Sequence, residues 1–417
     1  MGAAHRILFV DDEASILDGL QNLLHKQRHV WDMVFSQGGE AALAELQKGP
    51  FDVIISDMRM PGMDGATLLT AVREAYPDVA RIVLSGQAER EALVRALPVA
   101  HQFLSKPCDG DILRVVIERA CRLQKLLRDE SIRKAVGKLD ALPSAAHIYR
   151  ELTEALSNPN VGLADVAAIV ERDPAMSAKV LQLVNSAYFG LSKRVTSIAQ
   201  AMVFLGSDTM KGLVLTSQVF SMLETQPLPG LSIDDLQQHS LMTARLAKRL
   251  VSSQRVAEDA FTAALLHDIG QIALAIGVRD RYAEILRDAR TRQRPLQEVE
   301  YERLGVSHAE VGAYLLGVWG LPFSVIEAVA YHHRPSAVEA GDREVIAAVH
   351  VADTIVEAGD STEPGATTGL DVAFLDASGW AAAVPKAREW TATARATAGE
   401  TAPFRRGPRG ASTSRGH

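Results

Sequence analysis

Only two cysteines, Cys108 and Cys121, occur in 417 residues. That is too few for a disulfide framework. Positive charge is not in excess: 44 Lys and Arg stand against 51 Asp and Glu, a formal net charge of -7. General nucleic-acid binding is therefore not expected. No apolar run approaches the roughly 20 residues needed to span a bilayer, so no membrane contact is expected. The opening stretch MGAAHRILFVDDE has acids directly after its apolar run and no secretory cleavage pattern. Together these absences lead to the expectation of a cytoplasmic protein. The remaining composition, 47% hydrophobic and 23% charged, is that of an ordinary globular chain. Its length predicts two or three domains.

What is present begins with a repeated pattern. RILFVDDE reads as a short buried strand, Ile7 to Val10, ending in Asp11 and Asp12. FDVIISDMRMPGMDG repeats it: strand Val53 to Ser56, then Asp57, then a Pro/Gly turn. RIVLSG ends a third strand at Ser85, and HQFLSKP a fourth near Lys106. QAERE and GDILRVVIERA start helices between and after them. Strands alternating with helices predict a doubly wound parallel sheet, with its polar site at the carboxyl ends of the strands. Three carboxylates gathered there repel one another unless a cation sits among them, and hard oxygen ligands suit Mg²⁺. Beside such an ion a carboxylate can attack a phosphoryl group. Lys106 supplies a point charge for phosphoryl oxygens, and the Ser85 hydroxyl can bond one of them.

Residues 5–125 resemble the receiver domain of bacterial response regulators. The resemblance implies that Asp57 is the phosphoacceptor and that Asp11 and Asp12 are the acidic metal pair. It implies that Arg59 lends its backbone carbonyl to Mg²⁺. It also assigns Ser85 and Phe103 to the hydroxyl and aromatic switch positions, and Lys106 to the phosphate-contacting lysine. The implied partner is a cognate sensor histidine kinase. The receiver is placed at 1–125 and a helical linker at 126–138.

From Asp111 the pattern continues as helix. Leu113, Val116, Ala120, Leu123 and Leu127 recur with 3-4-3-4 spacing, a short coiled-coil seam. Packing of the last receiver helix on its own sheet accounts for the first half, to about Ala120; beyond it RLQKLLRDESIRKAVGK is too charged to be buried on all sides, and a seam that makes a homodimer stays open there.

From Leu139 strand alternation ends, which predicts an all-helical domain. In GLADVAAIVERDPAMSAKVLQLVNSAYFG, Asp173 is a good N-cap and Pro174 fits the first helical position. ERDPAMSAKVLQLVNSAYFG, then SIAQAMVFLG, LLHDIGQ and YHH, resemble the HDOD domain, an output domain related to the HD metal-dependent phosphohydrolases. It is placed at 139–357. Asn185 is expected as a buried polar anchor. The fold class is thus α/β plus all-α, a doubly wound receiver followed by an HD-related helical bundle.

The candidate ligands, in chain order, are His239, His267, Asp268, His308, His332, His333 and Asp353. Five of the twelve histidines fall in this set. Imidazole with carboxylate suits Fe, Mn, Zn or Ni, and two metals bridged by the dyad carboxylate would form the clamp used in phosphoester hydrolysis. The set matches, in order, the ligand pattern of HD-type hydrolases. Two pieces depart from that pattern. Related enzymes that cleave cyclic dinucleotides carry Lys where Gln271 stands, and a neutral side chain stabilises an anionic transition state less well. HHRPSAVEAGDREV also replaces the Gly-Tyr-Pro element after the His-His pair.

HDOD domains are regarded as regulatory. The resemblance therefore implies a phosphorelay response regulator whose HDOD domain acts through a downstream protein partner. The alternative is a metal-dependent phosphodiesterase acting on cyclic di-GMP or a nucleotide. Residues 358–417 read as a variable extension. Leu370–Trp380 and Val384–Trp390 are expected as short helices, with disorder from about Thr391.

Overall fold

The computed structural model of the chain describes residues 5–86, 99–124, 130–137, 139, 142–144, 146–158, 161–185, 194–215, 221–222, 230–338, 343–358 and 369–398. Strands β1 (His5–Asp11), β2 (Trp31–Gln37), β3 (Val53–Asp57), β4 (Ala80–Gly86) and β5 (Gln102–Lys106) form one sheet in the order β2-β1-β3-β4-β5. Every pairing in it is parallel. Ile7 to Val10 and Val53 to Ile55 are buried without a break, as strands covered on both faces require. The register sets Val10 opposite Ser56, Asp57 opposite Leu84, Ser85 opposite Ser105 and Gly86 opposite Lys106. The carboxyl ends of β1, β3, β4 and β5 therefore meet on one edge.

Helices α1 (Ala14–Leu23), α2 (Gly39–Leu46), α3 (Gly65–Ala75) and α4 (Gly110–Gln124) accompany the sheet. Asp64 caps α3, its side chain accepting from the Thr67 amide at 2.8 Å. The helix expected from QAERE lies outside the described residues. In α4, Leu113, Val116 and Ala120 are buried in the receiver core with Ile7, Phe9 and Ile55. Receiver packing thus accounts for the first half of the spacing, to Ala120, where the apolar faces are spent inside the protomer. The Leu123 side chain and Leu127 lie outside the described residues.

Helix α5 (Glu130–Gly137) follows, and then the second domain: α6 (Ala146–Ser157), α7 (Leu163–Val170), α8 (Pro174–Val184), α9 (Ile198–Leu215), α10 (Ile233–Leu250), α11 (Gln254–Leu266), α12 (Ile269–Gly277), α13 (Arg279–Arg292), α14 (Leu296–Leu304), α15 (His308–Val318), α16 (Phe323–Tyr331) and α17 (Arg343–Ala358). One detail departs from the all-helical expectation. Pro143–Ser144 and Ser221–Met222 form a two-stranded parallel pair, β6 and β7. Two residues are too few to carry a period-two signal. The stretch Gln254–Gly277 also departs from expectation, being 24 residues long and apolar enough by length and composition to cross a membrane, yet its most apolar part is 83% buried inside the protein. It is α11 and α12 end to end, a core element.

Asp173 is the N-cap of α8, accepting from the Met176 amide at 2.9 Å, with Pro174 at the first position. Its second oxygen accepts from Gln237 on α10 at 2.9 Å, so one buried carboxylate ties two helices. Asn185 anchors the chain after α8. It donates to Leu181 O and Val195 O and accepts from the Val195 amide.

The two domains share one apolar cluster. Receiver residues Val79, Val99 and Phe103 join Ile132 and Val136 of α5 and the helical core. Arg81, 1% exposed, donates to Val99 O at 2.6 Å and across the boundary to Gly137 O at 2.9 Å. Gln182 of α8 donates to His101 O at 3.1 Å. Arg119 of α4 donates to Leu321 O. A Cβ on Gly137 would lie 1.9 Å from Pro77 O, so the approach of α5 to the receiver requires glycine there.

At the C-terminus, α18 (Val372–Ser378) and α19 (Ala383–Ala398) form a hairpin on α10 and α17. Order runs past the expected boundary at Thr391: that residue is 3% exposed and its hydroxyl donates to Ala387 O at 2.8 Å. Ala387, fully buried on the facing side of α19, supplies the docking that an Ala/Thr-rich composition hides.

Candidate functional site

Two polar clusters lie in these domains. In the receiver, strand ends bring Asp11, Asp57 and Lys106 together. Lys106 Nζ lies 2.7 Å from Asp11 Oδ2 and also contacts Asp57 Oδ1. The other Asp57 oxygen accepts from the Arg59 amide at 2.7 Å. Gly65 permits this arrangement, because a Cβ there would sit 2.1 Å from Asp57 O. Burial raises the Asp57 carboxyl above its usual value, opposed by its hydrogen bond to Lys106. Burial pulls the Lys106 ammonium down, and the hydrogen bonds to Asp11 and Asp57 outweigh this and raise it. One lysine shared by Asp11 and Asp57 leaves the carboxylates in excess, and a cation would offset that excess before a phosphoryl group approaches. Asp12 sits beside Asp11, half-buried. An all-oxygen donor set of this kind fits Mg²⁺. Phe103 is 1% exposed, in the cluster that joins the domains. Ser85 takes its place at the end of β4, beside Ser105.

All seven HD-type candidates converge. α10 contributes His239, the α11–α12 junction His267 and Asp268, the start of α15 His308, the end of α16 His332 and His333, and α17 Asp353. His239 Nε2 lies 2.9 Å from Asp353 Oδ1 and 3.3 Å from His267 Nε2. His267 Nε2 lies 3.3 Å from both Asp268 Oδ2 and Asp353 Oδ1. The second oxygen of Asp268 faces the other way, 3.2 Å from His308 Nε2, which is 2.9 Å from His333 Nε2. Asp268 therefore stands between two donor groups, as a bridging carboxylate does.

The ring orientations are set from behind. His267 Nδ1 is 2.6 Å from Ala264 O, and His332 Nδ1 is 2.7 Å from Val329 O. A carbonyl only accepts, so each Nδ1 carries the proton and each Nε2 faces the cluster. His332 Nε2 is buried without a hydrogen-bond partner. A buried orphan aimed at a set of N and O donors is what a metal-binding cluster presents. Burial, and next the neighbouring His267, lowers His332 to about 3, which keeps its lone pair free. Burial lowers His267 and His308 too, but the acids beside them win. Asp268 and Asp353 raise His267 to about 10, and Glu300 with Asp268 raises His308 to about 10. Burial pushes Asp353 up, and His267 and His239 hold it well below the carboxylate range.

Glu300, Tyr282 and His350 were not legible in the sequence as parts of this site. Glu300 is fully buried. It accepts from the His308 amide at 2.8 Å, lies 2.7 Å from His308 Nδ1, and accepts from the Tyr282 hydroxyl at 2.7 Å. His350 Nδ1 lies 2.7 Å from His332 O, and its Nε2 accepts from the Asp371 amide at 2.9 Å. Gln271 donates to Asp268 Oδ1 at 2.6 Å, so its amide is spent on the bridging carboxylate. Gly270 lets α12 meet α15: a Cβ there would lie 1.9 Å from His308 O and 2.7 Å from Gly312 N. Six of the seven candidates are at most 4% exposed, and only His333 reaches half-buried.

Comparison with known proteins agrees with this division. The response regulator receiver domain family matches residues 7–118, and the HDOD domain family matches residues 142–335. An uncharacterised protein of Treponema pallidum is 25% identical over 242 residues, 54% of this chain and 46% of its own. The hydrogenase transcriptional regulatory protein HoxA of Cupriavidus necator is 30% identical over 180 residues, 40% of this chain and 37% of its own. The chain thus spans less than half the length of these relatives. Among solved structures, a virulence factor of Campylobacter jejuni superposes with a TM-score of 0.51 at 19% identity, covering 63% of this chain and 97% of that one. The MmoQ response regulator of Methylococcus capsulatus gives a TM-score of 0.46 at 23% identity, covering 55% of this chain and 92% of that one. With a five-stranded parallel sheet ending in Asp11, Asp57 and Lys106 and a helical domain behind it, the chain carries a response regulator receiver domain over residues 7–118 and an HDOD domain over residues 142–335.

Proposed function

We propose that Asp57 accepts a phosphoryl group from a sensor histidine kinase and that this controls the HDOD domain through its contact with the receiver. The observation that supports it best is the shared position of site and contact on β4 and β5. β5 ends at Lys106, and His101, directly before its first residue Gln102, accepts from Gln182 of α8. In the reaction an Asp57 oxygen forms a bond to phosphorus as the bond to the donor's leaving group breaks. Mg²⁺ held by Asp11, Asp12, Asp57 and the Arg59 carbonyl would neutralise charge on the phosphoryl oxygens. Lys106 must give up one of its two carboxylates to contact a phosphoryl oxygen. That exchange moves the end of β5, and it biases an equilibrium between docked and altered arrangements of the HDOD domain. A partner protein would read the HDOD surface. The test is phosphorylation with acetyl phosphate and Mg²⁺. The wild type gains one phosphoryl group and Asp57→Ala gains none; equal labelling of both would show that the acceptor is elsewhere.

For the HDOD cluster we infer a closed metal centre that ties five helices together. His239, His267, Asp268 and Asp353 would hold one ion, and Asp268, His308, His332 and His333 a second, both suited to Fe, Mn, Zn or Ni. Bound metal would supply cross-linking and, with an open position, Lewis acidity. The convergence of all seven donors also favours the phosphodiesterase reading. Burial of six of them, and the engagement of Gln271 with Asp268, favour a structural centre, because catalytic sites keep an open position. A turnover assay with cyclic di-GMP separates the two. The structural reading expects metal without turnover, and efficient hydrolysis lost in Asp268→Ala would replace it.

A further inference from the structure

The C-terminal hairpin supplies no donor side chain to either cluster, and it closes a cavity against the HDOD bundle. Gly379, at φ 74, ends α18 in the left-handed conformation that glycine favours. The chain then turns back, the Trp380 amide donating to Leu375 O at 2.7 Å. This sets Trp380 and α19 beside the last turn of α10. The cleft between them has a volume of about 340 Å³. Leu246 and Leu250 line it on one side, and the indoles of Trp380 and Trp390, both half-buried, on the other. Arg249 and Lys386 stand at its edge, both exposed, and no acidic side chain lines it.

Some exposed cations of the chain are held by acids and others are not. Lys48, Arg292, Arg294 and Arg334 each pair with an acid. Arg249 and Lys386 form no ion pair or hydrogen bond among the described residues. In a chain of net charge -7, two unpaired cations beside two indoles are a matched set for an anion that carries a flat ring. Indole faces stack on nucleobases with little sequence preference, and paired cations hold phosphate. The volume lies at the small end of the roughly 300–1,000 Å³ usual for small-molecule sites. The basic end of the chain, with Arg405, Arg406, Arg409 and Arg415, has the wrong charge to fill it.

We propose that this cleft binds a nucleoside monophosphate, the base against Trp380 and Trp390 and the phosphate between Arg249 and Lys386. The site is separate from the HD-type cluster and does not depend on a metal there. The test is calorimetric titration of the full chain with AMP and GMP, with adenosine and inorganic phosphate as half-ligands. Either nucleotide binds in the micromolar to millimolar range, and each half-ligand binds at least about tenfold more weakly. Lys386→Glu, at an exposed position, weakens the nucleotide at least about tenfold while the thermal midpoint is unchanged, and Trp390→Phe keeps most of the binding. Three results would overturn the proposal: no heat with either nucleotide at several millimolar, binding undiminished in Lys386→Glu, or inorganic phosphate binding as tightly as the nucleotide. Tight binding of an acidic peptide in place of both nucleotides would assign the cleft to a protein partner and likewise overturn it.

Discussion

Gly270→Ala tests how the dyad is built. The added Cβ would lie 1.9 Å from His308 O and 2.7 Å from Gly312 N, both backbone atoms. Neither can rotate away, so α12 and α15 must separate. Restoring ordinary van der Waals contact at His308 O takes about 1.5 Å of movement. That is half the present 3.2 Å between Asp268 Oδ1 and His308 Nε2. Forcing a methyl into a packed interface costs about 1–3 kcal/mol, and for a domain of this size that is roughly 2–12 °C in thermal midpoint. The expected outcome is a lower melting temperature and loss of metal from the His308 side of the cluster, with phosphorylation at Asp57 unaffected. Calorimetry with elemental analysis on the same samples provides the readout. A variant with wild-type melting and full metal content would refute the close packing of these helices.

Other outcomes follow from the same geometry. Protein purified without chelator should carry transition metal, and removing it, or changing His267 and Asp268 to Ala, should lower the melting temperature of the HDOD domain; stability indifferent to Mn²⁺, Fe²⁺ or Zn²⁺ would contradict a metal centre. Gln271→Lys alone should add little cyclic di-GMP hydrolysis, since six of the donors stay buried; a large gain in turnover would show that the missing charge was the obstacle. His101 gives a pH dependence. Burial lowers it well below the usual histidine value, with Arg81 and Lys179 adding to the effect. Its Nδ1 accepts from the Arg81 amide at 3.0 Å, and the Arg81 guanidinium lies 2.7 Å from Nε2. Below the unfolded value near 6.5 the unfolded chain binds a proton that the folded chain does not. Stability therefore falls as pH drops below about 6.5, by up to about 1.4 kcal/mol per pH unit from this group. Urea midpoints between about pH 5 and 7 should show that slope, reduced in His101→Gln; equal slopes in both proteins would remove His101 as its source.

The receiver site was legible because it sits on strands. Each of Asp11, Asp57, Ser85 and Lys106 follows a buried apolar run, and parallel register alone brings such residues to one edge. The HD-type candidates were legible as a set of residue types, and five helices had to fold to show that they meet. Glu300 was hidden, because LQEVEYERL carries three acids and nothing in its pattern marks the buried one. The docking of the domains was hidden for the same reason. Arg81 reads as an ordinary strand-edge charge until its carbonyl partners on both sides of the boundary are seen. The Leu113–Leu127 spacing fits a coiled coil and a receiver helix equally well, and packing against the sheet decides for the latter at Leu113, Val116 and Ala120. Thr391 was misread because an Ala/Thr-rich helix has little apolar periodicity to show.

The central claim is that chemistry at Asp57 reaches the HDOD domain through the receiver contact. Amide hydrogen exchange on the full chain, with and without acetyl phosphate and Mg²⁺, measures this directly. The account predicts altered protection in β4, β5, α5 and α8, around Arg81, His101, Gly137 and Gln182, in the wild type and not in Asp57→Ala. Phosphorylated protein whose protection changes only beside Asp57, with α5 and α8 unchanged, would contradict it.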